Sequence, residues 1–342
     1  MPSTNPLPAA YGRLTPDTVL EALDAVGLRG DGRILQLNSY ENRVFRLMLE
    51  DGGAAVAKFY RPGRWSDDQI LEEHGFTLEL AAAEVAVMAP LRLHLLPGAT
   101  NGARIAGPGA TLLHWQPRDG GAHRISVSPW LGGRDPDVES PQAFERLGRL
   151  IGRVHAVGAT QPFAHRLTLC PALGLQAIDT LVELQAMDPG QANPWESAAR
   201  TAMEGVARAF ERSDSAALRL HGDAHRGNLL EREQTLHLVD FDDACNGPAM
   251  QDLWLFLDGH DGEGRHRQLQ ALLRGYEDFM PFDDAQLALI EPLRTLRMLR
   301  HSAWVAQRWA DPAFPIAFPG FGTPNHWADQ TALLNEQIDR MG

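Results

Sequence analysis

The sequence predicts an α+β chain of two lobes, a β-rich one followed by a mainly helical one. Three observations carry that prediction. The chain has 342 residues, about twice the ~150 residues of a typical domain. Its first 130 residues alternate short apolar runs with Gly and Pro turns, the pattern of paired strands. Beyond Gly132-Gly133-Arg134, apolar residues recur at helical spacing over long windows. The division is therefore placed at residue 132, giving lobes 1–132 and 133–342.

In the first lobe, Thr15-Pro16-Asp17 predicts a helix start, with Thr15 as cap and Pro16 at the first helical position. Val19, Leu20, Leu23 and Val26 follow at helical spacing. Val44–Leu49 and Ala54–Tyr60, joined by Glu50-Asp51-Gly52-Gly53, predict a β-hairpin ended by Pro62. A helix is expected from Ser66 to about Ala83, capped by Ser66, with acidic residues in its first turn. The Gly- and Pro-rich stretch 97–121 predicts hairpins and turns, with Ile125–Trp130 as the last strand.

In the second lobe, Phe144, Leu147, Leu150, Ile151 and Val154 share one helical face. Amphipathic windows recur at 175–187, 195–212, 265–280 and 285–309, and no internal repeat is present. One polar island interrupts them: a loop at 221–228 between apolar flanks, then a short strand, Leu236–Val239, running into carboxylates.

Composition narrows the class of function. Apolar residues make up 44%, charged residues 22% and aromatics 7%, values of folded chains rather than of disordered, collagenous or disulfide-dense ones. Lys plus Arg is 31 against 44 for Asp plus Glu, 31 − 44 = −13, which argues against a nucleic-acid or anionic-membrane partner. The two cysteines, Cys170 and Cys245, are far apart and suggest neither a disulfide nor a thiolate metal site. The first six residues carry neither the basic nor the apolar part of a leader. The longest apolar stretch, 78–96, is broken by Glu79, Glu84, Arg92 and His94, short of the ~20 residues a membrane span needs. A cytoplasmic protein is expected.

The polar island carries the chemistry. Asp223 and Asn228 lie five residues apart on a loop with two glycines, and Asp240 lies twelve further on at a strand end. Mg²⁺ prefers oxygen ligands and is commonly held by one or two carboxylates plus substrate phosphates. Asn228 and Asp240 suit that role, leaving Asp223 to orient an acceptor hydroxyl and take its proton. The plainer account is that Asp, Asn and Gly are ordinary turn residues. His221 and His225 around Asp223 also admit a hydrolytic zinc site, but that reading leaves Lys58, Asn228 and the Asp240 strand unused. Lys58 sits on a strand of Ala, Val and Phe, where an unpaired ammonium is costly, so an anionic partner is expected.

The motifs His221-Gly222-Asp223-Ala224-His225-Arg226-Gly227-Asn228 and Val239-Asp240-Phe241-Asp242 resemble the catalytic loop and metal motif of the aminoglycoside phosphotransferase and choline kinase group, which shares the protein-kinase fold. Segments 38–44, 58–62, 69–74, 246–254 and 308–315 are similar to a bacterial branch of that group whose members are serine/threonine protein kinases. The resemblance implies a protein-kinase-like bilobal fold with a nucleotide-binding N-terminal lobe. It implies Asp223 as catalytic base, Asn228 as a magnesium ligand and Asp240 as the principal one. It further implies Lys58 on the ATP phosphates, with Glu73, or Glu72 one residue away, as its ion-pair partner. Where such kinases carry a Gly-rich loop, this chain has Asn38-Ser39-Tyr40-Glu41-Asn42, so backbone amides and the Ser39 hydroxyl are the candidate phosphate contacts, an ordinary hairpin turn being the alternative. Adenine is expected near Ser128–Leu131. Asp252 resembles the helix aspartate that holds the catalytic-loop backbone.

The expected activity is ATP- and Mg²⁺-dependent transfer to a protein Ser or Thr hydroxyl by a monomer. A small-molecule hydroxyl kinase is the second reading, because only eleven residues separate Asp240 from Asp252, too few for a long peptide-docking segment. Its acceptor pocket would be built from the C-terminal helices, an acidic lining favouring a cationic acceptor. A pseudokinase is the third, opposed by the presence of Lys58, Asp223, Asn228 and Asp240 together. Arg294, Arg297 and Arg300 read as a solvated helix face, with an acidic substrate as the alternative.

Overall fold

The computed structural model describes residues 11, 14–98, 102–107, 109–117, 121–257 and 262–342. The N-terminal residues inspected for a leader, and residues 99–101, 108 and 118–120 of the Gly/Pro-rich stretch, lie outside them. Among the described residues no helix is long and apolar enough to cross a membrane. The chain divides into two compact units, residues 1–136 with 226–242, and residues 137–225 with 243–342.

The first unit opens with α1 (Pro16–Asp24), where the Thr15 side chain accepts from the Thr18 N–H. Strands β1 (Gly30–Leu37), β2 (Arg43–Leu49) and β3 (Ala54–Phe59) follow, then α2 (Asp67–Ala82), β4 (Ala103–Ala106), β5 (Leu112–Trp115) and β6 (His123–Pro129). They form one antiparallel sheet in the order β1-β2-β3-β6-β5-β4.

Period-two alternation along β3 explains how a lysine fits into this sheet. Ala55, Ala57 and Phe59 point to one face and pack with Val19, Ala22 and Leu23 of α1 and with Ile125 and Val127 of β6. Lys58 points to the other face. Tyr60 beyond the strand end packs there with Ile70 of α2. That helix starts with a reciprocal cap: the Gln69 N–H donates to Ser66 Oγ (3.2 Å) and the Ser66 N–H to Gln69 Oε1 (2.9 Å).

The second unit begins with α3 (Pro141–Gly158), α4 (Pro171–Glu183), α5 (Pro189–Ser213) and the short β7 (Leu218–Leu220). The chain then returns to the first unit for β8 (Leu229–Arg232) and β9 (Thr235–Leu238), an antiparallel pair. There Val87 bridges Leu238, and Arg134 bridges Glu231. This differs from the sequence division at residue 132, which left 226–242 with the helical half. The bridges that join this pair to the first unit reach about 100 residues or more upstream, beyond the reach of any local pattern.

The second unit is completed by β10 (Cys245–Gly247), paired with β7, and by α6 (Gln251–Trp254), α7 (Gly262–Tyr276), α8 (Ile290–Gln307), α9 (Ala313–Ala317) and α10 (Pro324–Met341). The window expected to be helical from 285 is a 3₁₀ turn over Asp284–Leu289 before α8 begins. α3 and α7 cross closely because glycines meet backbone: a Cβ on Gly148 would lie 2.0 Å from Leu272 O, and one on Gly275 2.0 Å from Glu145 O. Trp327 of α10 stacks edge-on against Trp195 of α5, with ring centroids 5.5 Å apart.

Candidate active site

In the first unit, Lys58 Nζ lies 3.0 Å from Asp242 Oδ1, 3.2 Å from Asp240 Oδ1 and 3.6 Å from Glu73 Oε1. Of the two acidic candidates on α2, Glu73 is the buried one and the one that reaches the ammonium. Burial pushes the Lys58 ammonium down, but the charges of Asp242, Glu73 and Asp240 outweigh it and hold the pKa well above its ordinary value. The lysine is therefore a fixed positive charge.

Asp240 and Asp242 have different surroundings. Asp242 is buried, and its Oδ2 also receives Arg64 Nη1 at 2.7 Å. The Asp240 side chain is 54% exposed and its backbone is left-handed, φ 64°. A non-glycine residue held there is an uncommon and costly conformation, of the kind that recurs at functional sites. The Val239 N–H donates to the Asn228 carbonyl at 3.0 Å, which ties Asn228 to the residue preceding Asp240. An exposed carboxylate and a neighbouring amide, both hard oxygen donors, suit a magnesium ion.

Ser39 lies in the β1–β2 loop, and its hydroxyl accepts the Asn42 N–H at 3.3 Å, as in a hairpin turn. The loop is anchored from the end of β3. The Arg61 N–H donates to Asn42 Oδ1 (3.1 Å), Arg61 Nε to the Glu41 carbonyl (3.0 Å), and Arg64 Nη1 lies 3.3 Å from Glu41 Oε2.

In the second unit, the loop bearing Asp223 is held by Asp252, which is fully buried. Its carboxylate accepts the N–H of His221 (2.7 Å) and of Gly222 (2.8 Å), and His155 Nε2 stands 3.2 Å away. Gly222 has φ 85°, and a Cβ there would meet Asp243 O at 2.1 Å, so the turn admits only glycine. His221 is fully buried, and its Nδ1 accepts the Asp223 N–H at 3.3 Å, which makes it a packing element of the loop.

Asp223 itself is partly exposed. Its Oδ2 lies 3.3 Å from His225 Nε2, and its Oδ1 accepts from Arg297 Nη1 of α8. Burial pushes the carboxyl up, but the His225 hydrogen bond and the Arg297 and His225 charges outweigh it and hold Asp223 well below the usual carboxylate range. It is an anion at every ordinary pH. Arg297 corrects the reading of Arg294, Arg297 and Arg300 as a solvated face, since its guanidinium binds the candidate base and Arg294 Nε reaches Glu291 Oε2 at 3.1 Å. Asp242, Arg64 and Arg297 were not singled out from the sequence as site residues; only the Asp-Phe-Asp-Asp run carried a signal for the first.

A model of the phosphotransferase enzyme family matches residues 33–290, a span that includes Lys58, Asp223, Asn228, Asp240 and Asp252. The chain belongs to this family. Within it, the chain is 41% identical over 331 residues to stress response kinase A of Escherichia coli (strain K12), covering 96% of this chain and 93% of that protein. It is also 41% identical over 328 residues to serine/threonine protein kinase RdoA of Salmonella typhimurium (strain LT2), at the same coverage. Among solved structures it is similar to amicoumacin kinase hAmiN in complex with AMP-PNP, Ca²⁺ and Ami. The TM-score there is 0.69 at 20% identity, over 95% of this chain and 92% of that one. A microcompartment-associated aminopropanol kinase gives a TM-score of 0.67 at 18% identity, over 96% and 99%. The family and the fold are those the sequence motifs predict, and the protein is a kinase.

Proposed function

We propose that the protein transfers the γ-phosphate of ATP, with Mg²⁺, to a serine or threonine hydroxyl of a protein. The observation that supports this reading is the Lys58 cluster: a partly buried, permanently charged ammonium among three carboxylates, one from α2 and two from the 240–242 turn. A structural lysine needs only one partner. A surplus of carboxylate beside it suits a site that would also take a divalent cation, whose charge would offset that of the carboxylates and of bound phosphates.

In this reading Lys58 holds the α- and β-phosphates and Glu73 fixes the lysine's position. Asn228 and Asp240 hold the magnesium ion, which when bound neutralises charge on the phosphates. Arg61 and Arg64 keep the Asn38–Asn42 loop in place, so that its backbone amides and Ser39 face the nucleotide. Asp223 accepts a hydrogen bond from the acceptor hydroxyl and then its proton, as the new O–P bond forms and the bond from the γ-phosphorus to the bridging oxygen breaks, releasing ADP. Protein as acceptor is supported by the printed name of the Salmonella relative. A small-alcohol acceptor is the second reading, supported by the eleven residues between Asp240 and Asp252 and by the likeness to an aminopropanol kinase.

The test is transfer from labelled ATP and Mg²⁺ to a generic protein acceptor and, separately, to a panel of small alcohols, beside an Asp223→Ala control. Label on protein that disappears in the control supports the first reading. Label on a small alcohol alone supports the second.

A further inference from the structure

Helices α6, α8 and α10 and residues 318–321 of the second unit line an open cavity of about 980 Å³, a size that suits a ligand or a short peptide segment. Three arginines line it, Arg294 and Arg297 of α8 and Arg340 of α10, together with Trp254, His301 and Phe321. Arg297 links this cavity to the candidate base, since its guanidinium lines the one and is bonded to the other. All three arginines follow residue 290, where the family match stops.

The charge of this wall is opposite to the acidic lining that would suit a cationic acceptor. Glu336 is the one carboxylate among the cavity's described lining residues. Behind the wall, Glu291 takes contacts from Arg265 (3.0 Å), Arg294 (3.1 Å) and Arg340 (3.6 Å). The three lining guanidiniums carry about fifteen N–H donors, whereas their carboxylate partners Glu291, Asp223 and Glu336 together offer about twelve acceptor positions, those of Glu291 being shared with Arg265. Donors outnumber acceptors. Arg294 Cζ also stands over the Trp254 ring, 4.9 Å from its centroid, a cation–π contact that helps hold the guanidinium in the wall. His301 and His326 also line the cavity; burial, and at His301 the Arg297 charge, outweigh the nearby Asp223 and Asp329 and hold both below their ordinary pKa.

We propose that this cavity receives the acceptor and selects an anionic one: a Ser or Thr whose flanking residues carry carboxylates or phosphates. Planar guanidiniums match such groups in bidentate fashion. The inference rests on the phosphotransfer reading above and names its substrate class. An anion entering beside Arg297 offers its guanidinium a second partner and frees Asp223 Oδ1 for the hydroxyl. The hydroxyl proton then passes to Asp223 as the O–P bond forms and ADP departs.

The test uses three Ser peptides of equal length with acidic, neutral or basic flanks, each with a Ser→Ala counterpart that cannot be phosphorylated. Binding of the Ser→Ala peptides is read by tryptophan fluorescence, and transfer by label from ATP. A hydroxy acid and an amino alcohol form a further pair of acceptors. The acidic peptide should bind and react at least about tenfold better than the basic one, the factor that ~1.4 kcal/mol of charge-assisted contact represents. Arg294→Gln and Arg340→Gln should remove most of that preference and Arg294→Lys restore part of it, thermal melts confirming that each variant is folded. Equal or better binding of the basic peptide, or a preference unmoved by these variants, overturns the proposal. If the acidic Ser→Ala peptide binds selectively while label reaches only the hydroxy acid, the anionic cavity stands and the protein-kinase reading falls.

Discussion

Arg297 of α8 donates a hydrogen bond to Asp223 Oδ1, joining residues 74 positions apart in the chain. The carboxylate proposed as base is thereby kept charged and aimed. Asp223→Asn keeps the size of the side chain and removes the proton acceptor, so kcat should fall by about 10²–10⁴. ATP affinity, measured by equilibrium binding, should change little.

The same contact predicts how stability responds to acid. The folded pKa of Asp223 lies below the ~3.9 of an unfolded aspartate. Its stabilising contribution is therefore complete above about pH 4 and is lost as pH falls below that toward the depressed folded value. Urea unfolding from about pH 7 to pH 3 should show the stability gap between the native protein and Asp223→Asn narrowing only at the acid end. Arg297→Ala, which removes one opposing charge and raises the folded pKa, should shrink that contribution and end its loss at a higher pH, the onset staying at the unfolded value.

Lys58→Met would leave Glu73 and Asp242, both buried, without the ammonium between them. Removing one partner of a buried ion pair costs about 3–5 kcal/mol. Chemical denaturation should show a loss of that order, and Lys58→Met combined with Glu73→Gln should recover part of it. Both forms should lose phosphotransfer.

Asp252 has a different duty, and its loss should have a different signature. Asp252→Ala strips the acceptor from two loop amides, each costing about 1–3 kcal/mol when left unpaired. Hydrogen exchange at the His221 and Gly222 amides should accelerate, and kcat should fall while the KM for ATP stays close to the native value.

Metal dependence separates Asp240 from its neighbour. Asp240→Asn should raise the Mg²⁺ concentration needed for half-maximal transfer by at least about tenfold, since even residues behind metal ligands are worth 10–100-fold. The double variant with Asn228→Ala should need more still. Full transfer by Asp240→Ala at unchanged Mg²⁺ would remove Asp240 from the metal site.

How much of this was legible in the sequence follows the range of the interactions. The caps at Thr15 and Ser66 and the hairpin of β2 and β3 are set by neighbours a few residues away, and they stand where local pattern put them. The need of Lys58 for an acid was readable from the apolar strand around it. The identity of that acid was not, because helix phase decides between Glu72 and Glu73 only once α2 is docked on the sheet. Asp242 escaped as a partner of Lys58, and Arg297, read as part of a solvated face with an acidic substrate as the alternative, was not linked to Asp223. Each was read with its local run, a carboxylate row and an arginine row, whereas their partners are set by the packing of distant elements.

The return of residues 226–242 to the first unit also bears on how the protein can be dissected. A fragment ending at Pro136 would lack β8 and β9, leaving the Ala86 carbonyl and the Arg134 N–H without the strand partners they have in the whole chain. Its Lys58 would keep Glu73 but lose the carboxylates of Asp240 and Asp242. The charged surroundings of the lysine are thus complete only in a chain synthesised well past it, so a fragment that keeps them is built by splicing 226–242 onto the first 136 residues rather than by truncation.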